Sequence, residues 1–150
     1  MDLKVRNFYY LIAGMLAILF AVTHAWNGQD AVLPTLDANA IAMDTRTVFV
    51  YVWHVITAEN LVFGILFIFM SFQNERSKSR SAAWAIVLLL IVRLMVIIGI
   101  TAWNDISALS DTLIDSIAIA VYVALIILGI NKKQTEFGND SANSKRTRHR

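Results

Sequence analysis

Cysteine is absent from the 150 residues of this chain, and proline occurs once, at Pro34. The lack of cysteine excludes disulfide bonds, thiolate metal sites, cysteine nucleophiles and cysteine-attached haem. Charged residues make up only 16% of the chain against 57% hydrophobic residues, which is too apolar for a soluble domain of this size. The sequence therefore predicts a protein of the lipid bilayer.

Four mainly apolar segments are each about long enough to cross a bilayer as a helix. They are residues 8–26, 47–72, 82–103 and 112–130. Pro34 lies outside all four, so no segment is interrupted by proline. The sequence predicts an all-α fold, a four-helix transmembrane bundle formed by residues 1–130. For the first segment a signal peptide is the alternative, since Thr23-His24-Ala25 fits a cleavage pattern, although the apolar run is longer than usual.

The charged residues between the segments divide into two groups of opposite sign. One side of the predicted membrane carries the cations, which are Lys4, Arg6, Arg76, Lys78, Arg80, Lys132 and Lys133. The other side carries Asp30, Asp37, Asp44, Asp105 and Asp111, with Arg46 as its cation. Because lysine and arginine accumulate on the cytoplasmic side, we expect both termini in the cytoplasm.

The two stretches outside the bundle have different characters. Residues 27–46 form the longest connection, which is either a cap lying on the membrane surface or an irregular solvated loop. Residues 131–150 contain almost nothing to bury, which predicts a disordered tail. Its basic end is typical of a segment held at anionic headgroups, so the positive charge indicates a membrane surface and not a nucleic acid.

Small residues recur at every fourth position in two segments. They are Ala13, Ala17, Ala21 and Ala25 in the first segment and Ser116, Ala120 and Ala124 in the fourth. Because stripes of small residues let helices approach closely in a membrane, we expect the first and fourth segments to be the tightest pair.

Five ionisable residues fall within the predicted membrane segments: His24, His54, Glu59, Arg93 and Asp115. Such residues are costly in lipid unless they are paired or hydrated, so each is a candidate functional residue. Glu59 and Arg93 lie on different helices at similar depths, which predicts an ion pair. Arg93 could instead reach Asp115.

A second polar pairing is expected between His54 and Asp115, which lie at similar depths. Thr57, Asn60 and Tyr122 are predicted to support this polar cluster. Counted along the helices, the polar positions open to the outer side and the cytoplasmic half has no charge, which predicts a polar funnel closed at Glu59 and Arg93.

These residues favour two functions. The first is proton- or ion-coupled transport through the cluster of His54, Glu59, Arg93 and Asp115, which a homodimer would help to enclose. The second is an accessory or assembly subunit of a larger membrane complex, where the cluster only stabilises the bundle.

Two further hypotheses concern chemistry at the same residues. His24 and His54 could together bind haem or a divalent metal. His54, Asp115 and Arg93 could act on a lipid or quinone headgroup, but no nucleophile is evidently paired with them, so an enzyme is the weaker interpretation.

Two short motifs carry a resemblance to other proteins. They are Thr23-His24-Ala25-Trp26-Asn27-Gly28 and Val52-Trp53-His54-Val55-Ile56-Thr57. Here the chain resembles small bacterial four-span membrane proteins that have a histidine at the end of helix 1 and a Trp-His pair in helix 2. The resemblance covers the first two segments, implies a bacterial inner-membrane location and carries no activity with it.

Overall fold

A computed structural model describes residues 4–39 and 41–132, apart from the side chains of residues 37 and 76. It confirms the all-α four-helix transmembrane bundle. The α-helices are α1 Phe8–Asn27, α2 Leu33–Ala38, α3 Met43–Phe72, α4 Arg76–Asn104 and α5 Leu113–Asn131. The stretches Phe8–Leu36, Met43–Phe72, Ser77–Asn104 and Leu113–Asn131 are each long and apolar enough to span a membrane. The predicted tail lies outside the described residues from position 133 onward.

The first connection is largely helical. A π-helical segment, Gly28–Val32, follows α1 directly and leads into α2. Pro34 sits in the first turn of α2, and because the helical stretch continues from α1 its missing N–H leaves one backbone acceptor there without a helical donor. Of the two alternatives for residues 27–46, the irregular loop is therefore wrong for most of that stretch. We call the end of the bundle that carries this connection and the 3₁₀ segment Ile106–Ser110 the loop end, and the opposite end the terminal end.

The tightest helix pair is α1 with α3, and not the first and fourth segments as the alanine stripes predicted. Gly14 and Gly64 meet where these helices cross. A Cβ atom built on Gly14 would lie 2.9 Å from the Gly64 carbonyl oxygen, and one on Gly64 would lie 3.0 Å from that of Gly14. The absence of both side chains allows the two backbones to approach this closely.

The seam between α1 and α3 follows alternating steps of three and four residues. On α1 it comprises Tyr10, Gly14, Ala17, Ala21, His24 and Gly28, and on α3 Trp53, Thr57, Asn60, Gly64, Phe67 and Ser71. Steps of three and four keep one helix face against an antiparallel partner, whereas a strict step of four drifts around the helix. The prediction from the alanines assumed a strict step of four residues, whereas the contact between α1 and α3 follows alternating steps of three and four.

The apolar core lies in the terminal half of the bundle. Its most buried large side chains are Phe67, Val87, Ile126 and Ile130. Hydrogen bonds close the terminal end. The Asn7 side chain accepts the Tyr10 N–H, which caps α1, and donates to the carbonyl of Gly129 on α5 at 2.8 Å.

The loop half of the bundle is packed less tightly. α3 and α4 make few close backbone approaches, and α4 beyond Leu90 has no buried residue before its end at Asn104. Many large apolar side chains there are exposed, Trp103 by 90% and Met95 by 68%, as expected for contact with lipid. We call this loosely packed region between α1, α3, α4 and α5 at the loop end the crevice.

Candidate functional site

A histidine and a tryptophan lock α1 against α3 on one side of the crevice. The His24 and Trp53 rings are stacked, with centroids 4.2 Å apart and planes inclined by 20°. The Trp53 indole N–H donates to the His24 carbonyl oxygen at 2.9 Å, and Nδ1 of His24 lies 3.0 Å from the Thr57 hydroxyl. Three contacts therefore fix one half-buried imidazole ring in a single orientation.

Gly28 makes room for this arrangement. A Cβ atom at Gly28 would overlap the Trp53 indole ring, lying 2.6 Å from its Cδ1. The π-helical segment starts at the same residue, one turn beyond His24. Single π-turns within α-helices occur frequently at functional sites, because the extra residue redirects neighbouring side chains.

An ion pair between Glu59 of α3 and Arg93 of α4 crosses the crevice. The Arg93 guanidinium donates to the Glu59 carboxylate and, at 3.2 Å, to the side-chain oxygen of Asn60. The Arg93 side chain is 18% exposed and that of Glu59 is 34% exposed. Of the alternatives left open by the sequence, the structure has Glu59, and not Asp115, as the carboxylate bound to Arg93.

Charges on the other three helices surround His24. His54 on α3, Arg93 on α4 and Asp115 on α5 all act electrostatically on its ring. Asp115 opposes the positive charge of Arg93 at this position, because the two have opposite signs. The polar residues at the loop end therefore form one electrostatically connected cluster.

The expected pairing of His54 with Asp115 is not formed. Both side chains are exposed, and no hydrogen bond or ion pair joins these two described residues. Asp115 lies in the first turn of α5, where the helix dipole favours a negative charge. Thr57, predicted to support His54, contacts His24, and Asn60 contacts Arg93.

Tyr122 lies beneath the cluster and forms part of the crevice floor. Its ring makes edge-on contacts with Phe20, one turn below His24, and with Phe67. It is 3% exposed, and its hydroxyl forms no hydrogen bond within the described part of the chain. The floor below the ion pair is therefore aromatic and otherwise apolar.

Within residues 4–39 and 41–132, no three His, Cys, Asp or Glu residues are grouped so that they could hold a metal ion. His24 and His54, the candidate haem or metal ligands, are both in the loop half, with His24 half-buried on the seam and His54 exposed. His24 is thus the histidine that the helix packing fixes in place.

Sequence reasoning missed Trp53 as a site residue. It placed the neighbouring His54 in the polar cluster and gave Trp53 no role there. The signal was present in the steps of three and four from Trp53 through Thr57, Asn60 and Gly64 on α3, which place Trp53 on the α1-facing side and His54 about 100° away.

Comparison with protein-family models, with curated proteins and with solved structures gives no match for this chain. The fold and the polar crevice define a multi-pass membrane protein with four spanning helices and a charged cluster between them. The function must therefore be argued from the crevice itself.

Proposed function

We propose that this chain is a bacterial inner-membrane protein that couples proton movement to the transport of an ion or small polar solute, with Glu59 and Arg93 as the coupling pair. The supporting observation is the position of that ion pair. It joins α3 to α4, the neighbouring helices with few close backbone approaches, at the base of the crevice.

An ion pair within a helix bundle stabilises it only where good geometry and further hydrogen bonds offset the cost of removing two charges from water. Here the pair spans a loosely packed interface and remains partly exposed. Protonation of Glu59 would remove one of the two charges and leave Arg93 to be compensated by Asn60 alone. A protonation event in the crevice would thereby change the main polar link between α3 and α4.

The orientation follows from the charges at the two ends. We place the loop end outside, because its connecting residues carry aspartates while the terminal end carries the cations. In this orientation the crevice faces the periplasm and the apolar core separates it from the cytoplasm. The proton gradient across the membrane then drives protons from the periplasm into the crevice.

The apolar floor limits what one chain can do alone. A charged solute crossing the terminal half would meet Phe67, Ile126 and Ile130 without any compensating group. We therefore propose that transport occurs in a homodimer or larger membrane complex, where movement of α4 relative to α3 opens a route beside this core.

Proton flux into liposomes tests the proposal. Purified protein is reconstituted with a pH-sensitive dye inside, and acidification is followed after a pH step across the membrane. We expect flux from the wild type and its loss in Glu59→Gln. Glu75→Gln is the matched control, because Glu75 forms an exposed ion pair with Lys78 three residues away and lies outside the crevice.

The charge-swapped protein, Glu59→Arg with Arg93→Glu, separates coupling from simple stabilisation. If the ion pair is purely structural, the swap should restore both the stability and the flux that the single variants lose. A coupling pair predicts restored stability without flux, because the titrating carboxylate has moved to another helix. A wild type without flux would refute transport and favour the accessory role.

A further inference from the structure

We infer that His24 is the proton-accepting histidine of the crevice, with the hydrogen on Nδ1 bound by Thr57 and the Nε2 lone pair free to take up a proton. The inference rests on the proposed function, since it names the residue of that crevice which receives the proton. Sequence reasoning gave this role to His54, whose side chain is exposed.

The hydrogen-bond chain through Thr57 determines the tautomer. A threonine hydroxyl has one hydrogen to donate, and that of Thr57 donates to the Trp53 carbonyl oxygen at 3.3 Å. With that hydrogen on the carbonyl, the Thr57 oxygen accepts from His24, whose Nδ1 is 3.0 Å away. Because a neutral imidazole carries one hydrogen, Nε2 is left with its lone pair.

Proton uptake at Nε2 requires no movement of the ring. The imidazolium keeps its Nδ1 hydrogen, so the bond to Thr57 persists in both charge states. Stacking on Trp53 and the indole bond to the His24 carbonyl hold the ring in the same place. The site is thus organised before the proton arrives.

Every helix around His24 contributes a charge that acts on this proton. Burial of the ring opposes this proton most, Arg93 on α4 repels it, Asp115 on α5 attracts it and a charged His54 on α3 repels it. When Glu59 is protonated, the charge of Arg93 is no longer neutralised and repels a proton on His24 more strongly. The proton therefore resides on His24 or on Glu59, but not readily on both.

The transfer between these residues conserves atoms and charge. The His24 imidazolium gives the Nε2 proton to water in the crevice and returns to the neutral Nδ1–H form. Water relays a proton from there to the Glu59 carboxylate, which becomes a carboxylic acid and no longer forms an ion pair with Arg93. Glu59 thus receives its proton through His24.

Nuclear magnetic resonance of histidine labelled with ¹⁵N tests the tautomer without relying on flux. Signals are assigned in detergent by replacing each histidine in turn with glutamine. We expect His24 to be mainly the Nδ1–H tautomer when neutral and to gain a proton at Nε2 as the pH is lowered. A mainly Nε2–H form, or a ring that stays neutral throughout, would overturn the inference.

Threonine variants identify the cause of that preference. Thr57→Val removes the hydroxyl and should turn the single tautomer into a mixture, and Thr57→Ser should restore it. Thr23→Val is the control, since the Thr23 hydroxyl lies beside His24 in sequence but binds only α1 carbonyls. An unchanged tautomer in folded Thr57→Val would contradict the assignment.

Flux then tests the role in transport. His24→Gln should lower proton flux by about tenfold or more, while the control Thr23→Val should leave it near the wild-type value. Wild-type flux that survives His24→Gln overturns the inference and leaves the proposed transport standing. A wild type without flux refutes transport, and the tautomer and titration spectra still decide whether His24 accepts a proton.

Discussion

Replacing Gly14 with alanine is predicted to destabilise the bundle by about 1–3 kcal/mol, the usual cost of an added group in a filled interface. The new Cβ would lie 2.7 Å from Cγ1 of Ile68, 2.9 Å from the Gly64 carbonyl oxygen and 2.9 Å from the Ile68 backbone nitrogen. Ordinary van der Waals contact begins at 3.4 Å. Two of the three atoms belong to the backbone, so relief requires α1 and α3 to separate.

Gly99 on α4 supplies the control. A Cβ atom there meets nothing within 4 Å. Because alanine is a better helix former than glycine, Gly99→Ala should stabilise the protein by roughly 0.5–1 kcal/mol or leave it unchanged.

Reversible unfolding in mixed detergent, followed by tryptophan fluorescence, measures both variants against the wild type. The two substitutions add the same methyl group, so opposite signs isolate the effect of the helix crossing. A Gly14→Ala protein as stable as the wild type would refute the close approach of α1 and α3. Equal destabilisation by both variants would show that the loss of stability comes from replacing any glycine and not from the helix crossing at Gly14.

Two other predictions concern the loop end. Gly28→Ala should displace the Trp53 indole from His24, which would weaken the near-ultraviolet circular dichroism of tryptophan, and an unchanged spectrum would contradict the packing. Hydrogen bonds from the Ser107 hydroxyl and backbone N–H lower the pKa of Asp105. The stabilisation by its carboxylate is therefore complete above the unfolded pKa of about 3.9 and is lost as the pH falls through the lower folded pKa. Hydrogen exchange at the Ser107 amide should show this loss in the wild type but not in Asp105→Asn.

Hydropathy was sufficient to predict the four spanning helices, because the cost of unpaired backbone groups in lipid leaves few alternatives to helices of this length. The helix boundaries also predicted that Glu59 and Arg93 lie at similar depths, because depth in the membrane follows from counting residues along a helix. The two side chains form an ion pair in the structure.

The side of the helix on which a residue lies was harder to predict than its depth in the membrane. His54 and Trp53 are one position apart, so a modest error in helical phase exchanges the residue on the seam with the exposed one. The helix pairing failed for a related reason. Alanines occur on many faces of apolar helices, whereas the Gly14–Gly64 crossing depends on two single positions on different segments.

The bond between Asn7 and Gly129 joins residues 122 positions apart, and Lys132 reaches back to the carbonyl of Arg6. During synthesis α1 emerges long before α5, whereas α3 follows α1 soon enough to pair with it first. The terminal end therefore cannot close until the last helix has entered the membrane. Until then, the Asn7 amide must be satisfied by water or lipid headgroups, so the end of the bundle that holds Asn7 and Gly129 is the last to assemble.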